Sequence, residues 1–286
     1  MDKIINLVGA DWWYEQRDEN NHVRYRPPEP TDFKVTYNKR EGSDLTVFVN
    51  KGVLRVDKFS SKKKFALPNE QRNFAPRVYN YLYKNNDKFD GILTYDDDLS
   101  TLNNAIIAPY GNTFIWPPEK QKVYLKEKTC SYIASHKAYT PLQQFRVGLL
   151  QHFYANKEKY DVDLFGRGHN PLPELEERGK IYGLLPYRFS IVIENLQTDH
   201  YFSEKLLDCF LTGTIPIYYG ARKINEYFDS EGIIIFNNFK SLKNILDYIS
   251  EDYYNSKLSA ISSNFNKALK YTDPLKCYLG LIDQCD

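Results

Sequence analysis

Tyr187-Arg-Phe-Ser-Ile-Val-Ile-Glu194-Asn195-Leu-Gln-Thr-Asp-His-Tyr201-Phe-Ser203-Glu204-Lys205-Leu206, followed by Thr214-Ile-Pro216-Ile-Tyr-Tyr-Gly220, is the stretch that decides the fold. Phe189 to Ile193 is almost continuously apolar, which predicts a strand buried on both faces that ends at the polar pair Glu194-Asn195. A polar loop follows. Ser203 is a helix-capping residue, and the helix it opens runs to Leu211 and is closed by Gly213. Ile215 to Tyr219 is the next strand. Strand, helix and strand of this kind describe a parallel sheet covered on both sides.

The pattern extends both ways. Upstream, Cys130 to Ser135 reads as a strand, Pro141 to Tyr154 as a helix with Phe145, Leu149 and Phe153 on one face, and Val162 to Phe165 as a strand. Downstream, Ile233 to Phe236 and Ser241 to Tyr248 read as a further strand and helix. The first half has shorter strands at Ile4–Val8, Phe33–Tyr37, Leu45–Asn50, Lys64–Leu67, Gly91–Thr94 and Ile106–Ala108, with a helix over Arg77 to Asn85. Between the halves lies a basic, Pro-containing stretch from Trp116 to Lys128. It is the expected connection, giving domains at 1–128 and 129–286. Two α/β domains in tandem imply a cleft, with ligands at the carboxyl ends of the strands.

A length of 286 residues suits two such domains, and the balance of 38 Lys+Arg against 37 Asp+Glu leaves a net charge of +1. That charge lacks the basic footprint of a nucleic-acid binder. The longest apolar runs are strand-length, so no transmembrane helix is expected, and the N-terminal apolar stretch lacks the h-region of a signal peptide. The expectation is a cytoplasmic protein or a soluble catalytic portion. Cys130, Cys209, Cys277 and Cys285 are scattered without a C-x-x-C pair, which fits reduced thiols better than a zinc site or a disulfide framework.

Lys205 is the first chemical clue. A lysine in the first turn opposes the helix dipole, so its placement asks for an anionic partner. Either a phosphate-bearing ligand or a neighbouring carboxylate would supply one. Asp96-Asp97-Asp98 is a rival signal: it contains the D-x-D pattern with which GT-A glycosyltransferases hold a divalent cation, although so short a match also describes a solvated turn.

In these residues the sequence resembles the α1,3/4-fucosyltransferases, glycosyltransferase family 10. Glu194-Asn195, the spacing to Glu204-Lys205, and Pro216 to Gly220 follow the family's C-terminal signature, with Leu196 where Ser is usual and Ser203 in place of Thr. Ile133-Ala-Ser135-His136 through Arg146 resembles its Ser-Asn to Arg segment, and Val162-Asp-Leu-Phe-Gly166-Arg167 its Val-Asp-x-x-Gly strand end. Leu93 to Asp98 and Ala108-Pro-Tyr-Gly111 resemble its Thr-Tyr, Asp-Ser-Asp and Pro-Tyr-Gly region. Asp11-Trp12-Trp13 and Asn69-Glu70-Gln71 are similar to the Trp-Trp and Glu-Ser-Pro loops of bacterial members, with Gln71-Arg72 replacing Ser-Pro.

The resemblance implies a GT-B fold of two Rossmann-like domains facing a cleft, the N-terminal one for the acceptor and the C-terminal one for GDP-fucose. It also implies single-displacement transfer of L-fucose to a hydroxyl of an oligosaccharide or glycoconjugate, inverting the anomeric centre. No cofactor is required, though a divalent ion would assist the leaving group. By position, Arg146 and Lys205 contact the diphosphate, Glu204 the ribose and Asn195 the fucosyl portion or a phosphate. Ser135 and Tyr201 line the donor pocket. Glu70 is the general base, and Trp12 and Trp13 stack on acceptor sugars. Such chemistry needs a carboxylate to accept the acceptor's proton and cations to hold the departing diphosphate. Transfer from another GDP-sugar, or a noncatalytic nucleotide-sugar or glycan binder on the same fold, would use the same residues.

Overall fold

The computed structural model describes residues 3–10, 33–115, 118–166 and 180–285. The Trp12 and Trp13 assignments fall outside them. The chain forms two compact units, each built on a wholly parallel sheet: residues 1–109 together with 275–286, and residues 110–274.

The first sheet has the order β2-β1-β3-β4-β5-β6. Its strands are β1 (Lys3–Val8), β2 (Phe33–Tyr37), β3 (Ser43–Val49), β4 (Ser61–Leu67), β5 (Gly91–Thr94) and β6 (Ala105–Ile107). Alternation along each strand sends neighbours to opposite faces. Leu7, Val47, Phe65 and Leu93 join one core, while Val8, Phe48, Ala66 and Ile92 join the other. The second core is covered by α1 (Pro76–Asn85) through Val78, Tyr79 and Leu82, and by the 3-10 segment Asn50–Lys58 through Val53 and Val56. Gly9, at φ +81°, passes so close to Gly52 that a Cβ on Gly52 would lie 2.0 Å from the Val8 carbonyl oxygen. Only glycine fits there.

The second sheet has the order β11-β10-β9-β7-β8, from β7 (Lys128–Ile133), β8 (Val162–Phe165), β9 (Tyr187–Ile193), β10 (Ile215–Tyr219) and β11 (Ile234–Ile235). Read from its own first strand this is the 2-1-3-4-5 doubly wound order, and the direction of winding reverses between β7 and β9. α2 (Pro141–Ala155) and α4 (Phe239–Tyr248) cover one face through Leu149, Leu150, Phe153, Leu242 and Ile245. α3 (Glu204–Phe210) covers the other through Leu206, Leu207 and Phe210. α5 (Glu251–Asn255) and α6 (Leu258–Ala268) complete the unit.

The division differs from the expected 128/129 boundary at both ends. Ile115 is fully buried in the second unit's core, and Lys126 lies only 7% exposed among its carbonyls. Within the basic stretch Lys126 is therefore docked against the second unit. At the other end α7 (Pro274–Asp283) packs Leu275, Tyr278, Leu279 and Ile282 into the first sheet's core. Among the described residues no helix is long and apolar enough to cross a membrane.

Candidate active site

The point where the second sheet reverses its winding is where a ligand-binding crevice opens in doubly wound folds. In this unit that point lies at the ends of β7 and β9, next to the start of α2. Thr140 caps α2 in a reciprocal capping box with Gln143, and its hydroxyl also donates to the carbonyl of Asn195 at 2.5 Å. One turn further on, Arg146 Nη1 donates to Asn195 Oδ1 at 3.0 Å and to the Ile193 carbonyl at 3.4 Å. Arg146 is 4% exposed, and its Nε has no hydrogen-bond partner. Among the described residues no carboxylate pairs with it. A buried cation without an anion is costly, because burial disfavours the charged form.

Glu194 is wholly buried directly after β9. Its carboxylate accepts the backbone N–H of Ser203 at 2.9 Å and the Ser203 hydroxyl at 2.7 Å. Lys205 Nζ lies 3.4 Å from Glu194 Oε2 and 3.2 Å from Glu204 Oε1, and donates to Ser203 Oγ at 3.0 Å. Burial opposes the charge on Lys205, yet Glu204 and Glu194 raise its pKa above the ordinary lysine value. Burial would likewise neutralise Glu204, but Lys205 and Lys180 hold its carboxyl down to about 2. Gly220 is obligatory here: a Cβ would come 2.2 Å from Tyr218 Oη and 2.7 Å from Glu194 Cγ.

The structure thus brings Arg146, Asn195, Glu204 and Lys205 close together beyond the end of β9, near enough for Arg146 and Lys205 to feel each other's charge, and it supplies Lys205 with carboxylate neighbours. Tyr201 is buried and stacked on Tyr110 with centroids 6.1 Å apart. Ser135 is half-buried in the loop between β7 and α2, outside the Arg146–Lys205 hydrogen bonds. Two residues were not read from the sequence as part of the site. Glu194 stands there as the end of a strand and as part of the Glu194-Asn195 signature but with no role of its own, although a carboxylate abutting an apolar run, nine residues before a capping serine, is a signal of side-chain capping. Lys180 donates to the Glu204 carbonyl at 3.2 Å and to the fully buried Asp208 at 3.1 Å. Nothing in the sequence marks it, because its partners lie 24 and 28 residues away.

In the first unit, Glu70 follows β4 at the carboxyl edge of the sheet. Its backbone is pinned twice: the N–H donates to Asn50 Oδ1 at 2.7 Å and the carbonyl accepts from the Tyr79 hydroxyl at 2.9 Å. Its side chain is exposed. The Asp96–Asp98 motif forms a tight turn in which Asp96 Oδ1 accepts the N–H groups of Asp98 and Leu99. Arg72 spans both ends of that motif, at 2.5 Å from Asp96 and 2.6 Å from Asp98. Among the described residues no group of three or more His, Cys, Asp or Glu is gathered as metal ligands would be.

Residues 123–260 match the model of glycosyltransferase family 10 (fucosyltransferase), C-terminal part. The alpha-(1,3)-fucosyltransferase FucT of Helicobacter pylori is 33% identical over 66 residues, which is 23% of this chain and 14% of that protein. The 3-galactosyl-N-acetylglucosaminide 4-alpha-L-fucosyltransferase FUT3 of Bos taurus is 26% identical over 154 residues, 51% of this chain and 40% of that protein. The matched parts are thus well under two thirds of these relatives' lengths. Among solved structures, an alpha1,3-fucosyltransferase with GDP aligns over 99% of this chain and 91% of its own, at 17% identity and a TM-score of 0.55. An alpha-glucosyltransferase in complex with UDP and DNA aligns over 99% of both chains at 12% identity and a TM-score of 0.53. The fold is that of the GT-B glycosyltransferases. The part of the chain that carries Arg146 to Lys205, residues 123–260, is thus similar to the fucosyltransferase C-terminal part of glycosyltransferase family 10.

Proposed function

We propose that the chain is an inverting glycosyltransferase that moves L-fucose from GDP-fucose to a hydroxyl of an acceptor glycan. The observation that carries this reading is Arg146, a buried guanidinium with an unspent Nε and, among the described residues, no carboxylate partner, at the winding reversal of the sheet. A diphosphate supplies the missing anion, and charge-assisted hydrogen bonds from guanidinium to phosphate are among the strongest available to a protein. Lys205 adds a second cation. As the bond between the anomeric carbon and the phosphate oxygen breaks, both cations take up the charge that develops on the leaving GDP. Glu204, held ionised far below neutral pH, accepts hydrogen bonds from the ribose hydroxyls. The Asn195 carboxamide, its oxygen already occupied by Arg146, turns its N–H donors to the sugar or a phosphate. Glu70 takes the proton of the attacking hydroxyl, and a single displacement leaves the product with the anomeric configuration opposite to the donor's.

The test is calorimetric titration and thermal shift with GDP, UDP and NAD, on the wild type and on Arg146→Ala. GDP should give the largest shift. Loss of the buried guanidinium should weaken GDP about 10-fold or more, since hydrogen bonds to charged groups contribute about 1.5–3 kcal/mol. Equal responses to GDP and UDP would remove the guanine nucleotide from the reading, and undiminished GDP binding by Arg146→Ala would remove the site. Release of GDP from GDP-fucose with a lactose-type acceptor then separates an enzyme from a binder.

A further inference from the structure

The acidic run Asp96-Asp97-Asp98 is the one sequence motif that the proposed reaction leaves without a task, and its neighbours suggest one. Arg72 lies two residues after Glu70, and its guanidinium reaches Asp96 Oδ1 through Nη2 and Asp98 Oδ2 through Nη1, at 2.5 and 2.6 Å. The same guanidinium stands 5.3 Å from the ring centroid of Tyr79 and 5.7 Å from that of Tyr83, and Nη2 also donates to Tyr83 Oη. Tyr79, 1% exposed, holds the Glu70 carbonyl. Around Glu70 further fixings are neutral hydrogen bonds: its N–H donates to Asn50 Oδ1, the Tyr95 hydroxyl to the carbonyl of Asn69, and the Tyr278 hydroxyl to Asn69 Oδ1. Beyond Glu70 the chain turns back on itself, with the N–H groups of Phe74 and Ala75 donating to the Gln71 carbonyl. Arg72 ties that turn to the loop after β5 by charge.

We propose that Asp96 and Asp98 act through Arg72 as an electrostatic anchor that positions Glu70, making Arg72 and Asp96 positioning residues for proton abstraction. This rests on the reading of Glu70 as the general base. The anchor fixes the turn that immediately follows the carboxylate, and it presses a cation on the ring of the tyrosine that fixes Glu70 itself. Asp96 is the dominant partner: its side chain is 14% exposed against 69% for Asp98, and the less exposed ion pair is the less screened.

The experiment is steady-state kinetics with GDP-fucose and a lactose-type acceptor, with pH–rate profiles, on Asp96→Asn, Arg72→Ala, Arg72→Lys, Glu70→Gln and the double variant Glu70→Gln/Asp96→Asn. Asparagine at 96 keeps an oxygen for the backbone turn and removes only the charge. Displacing a catalytic group by about 1 Å costs up to about 100-fold, so Asp96→Asn and Arg72→Ala should lower kcat by about 10- to 100-fold, with KM for GDP-fucose and GDP binding within about twofold of wild type. Arg72→Lys, which keeps the charge but not the two-pronged reach, should recover part of that loss. Asp96→Asn should cost nothing further in the Glu70→Gln background. A full additional loss in that background would overturn the anchor while leaving Glu70 as the base. A wild-type rate for Glu70→Gln alone would overturn the base, and the anchor with it. Activity of Asp96→Asn restored by Mn²⁺ would overturn the anchor in favour of a metal role.

Discussion

In the second unit the candidate site is made of enclosed charge: Glu194 wholly buried, Lys205 wedged between two carboxylates, and Arg146 buried with no carboxylate beside it among the described residues. In the first unit the carboxylate of interest stands in solvent, and what is fixed is the backbone beneath it, held by Asn50 and Tyr79. On the function proposed above, the contrast follows from what each would meet. A nucleotide diphosphate carries the same charge in every turnover, so a preorganised set of buried charges can be matched to it once and needs no rearrangement during reaction. A neutral hydroxyl on a varied glycan offers no charge to match. Its proton acceptor must remain accessible and be aimed by the backbone.

The sharpest way to break this comparison is to exchange the functions by mutation. Glu70→Gln should lower kcat for transfer by at least about 100-fold while GDP-fucose affinity stays within a few-fold, because a positioned base contributes about 10² to 10⁴ in rate. Parallel losses of kcat and donor affinity would mean that the two sites do not divide the labour as described. A product of retained anomeric configuration would discard the single displacement altogether.

A smaller effect probes the second unit's tolerance for buried charge. Lys126 Nζ donates to the carbonyls of Leu184 and Leu185 and to Thr214 Oγ1, at 3.2, 3.0 and 2.9 Å, and burial pushes its pKa down to about 7. Between about pH 7 and the unfolded value of 10.5 the unfolded chain binds a proton that the folded one has shed, so this lysine makes stability rise with pH across that window. Its contribution is complete above the unfolded value and lost as pH falls through 7. Urea midpoints measured at pH 6.5 and 9 should therefore rise more in the wild type than in Lys126→Met. An equal rise in both would place the proton elsewhere. The smallest expected effect is that of chelation. With Asp96 and Asp98 occupied by Arg72, EDTA should change the transfer rate by less than about twofold, and a loss that Mn²⁺ restores would assign the acidic turn to a cation.

Which parts of this were legible in the sequence follows from the range of the forces involved. The strands were, because runs such as Ile215–Tyr219 must be buried on both faces and say so locally. The capping serine of α3 and the glycine closing it, Gly213 at φ +73°, were legible for the same reason. Arg146 and Lys205 were found as positions, but not their surroundings. That Lys205 would meet Glu194 depends on how an eleven-residue loop folds back, and that Arg146 would meet Asn195 depends on a contact 49 residues along the chain. Lys126 misled most directly. Among Lys120, Lys122 and Lys128 it has the look of a solvated linker residue, and only the carbonyls of Leu184 and Leu185, nearly 60 residues on, give it a buried seat. The pairing of Arg72 with the acidic turn was hidden likewise, because a D-x-D pattern carries no sign of which cation will answer it. α5, α6 and α7 were not foreseen, and α7 least of all, since its apolar face belongs to a sheet whose last strand ends more than 160 residues earlier.

That last helix also sets an order of assembly. Because translation proceeds from the N-terminus, the ribosome releases every strand of the first sheet before it releases any part of the second unit, yet the first unit cannot be completed until residues 274–283 emerge. Leu7, Val47, Phe65 and Leu93 must wait for Leu275, Tyr278, Leu279 and Ile282 to cover them. The unit made first is therefore finished last. A nascent chain that has exposed everything up to Pro274 would carry a complete second unit beside a first sheet still lacking the apolar cover of Leu275, Tyr278, Leu279 and Ile282, the kind of species on which chaperones act.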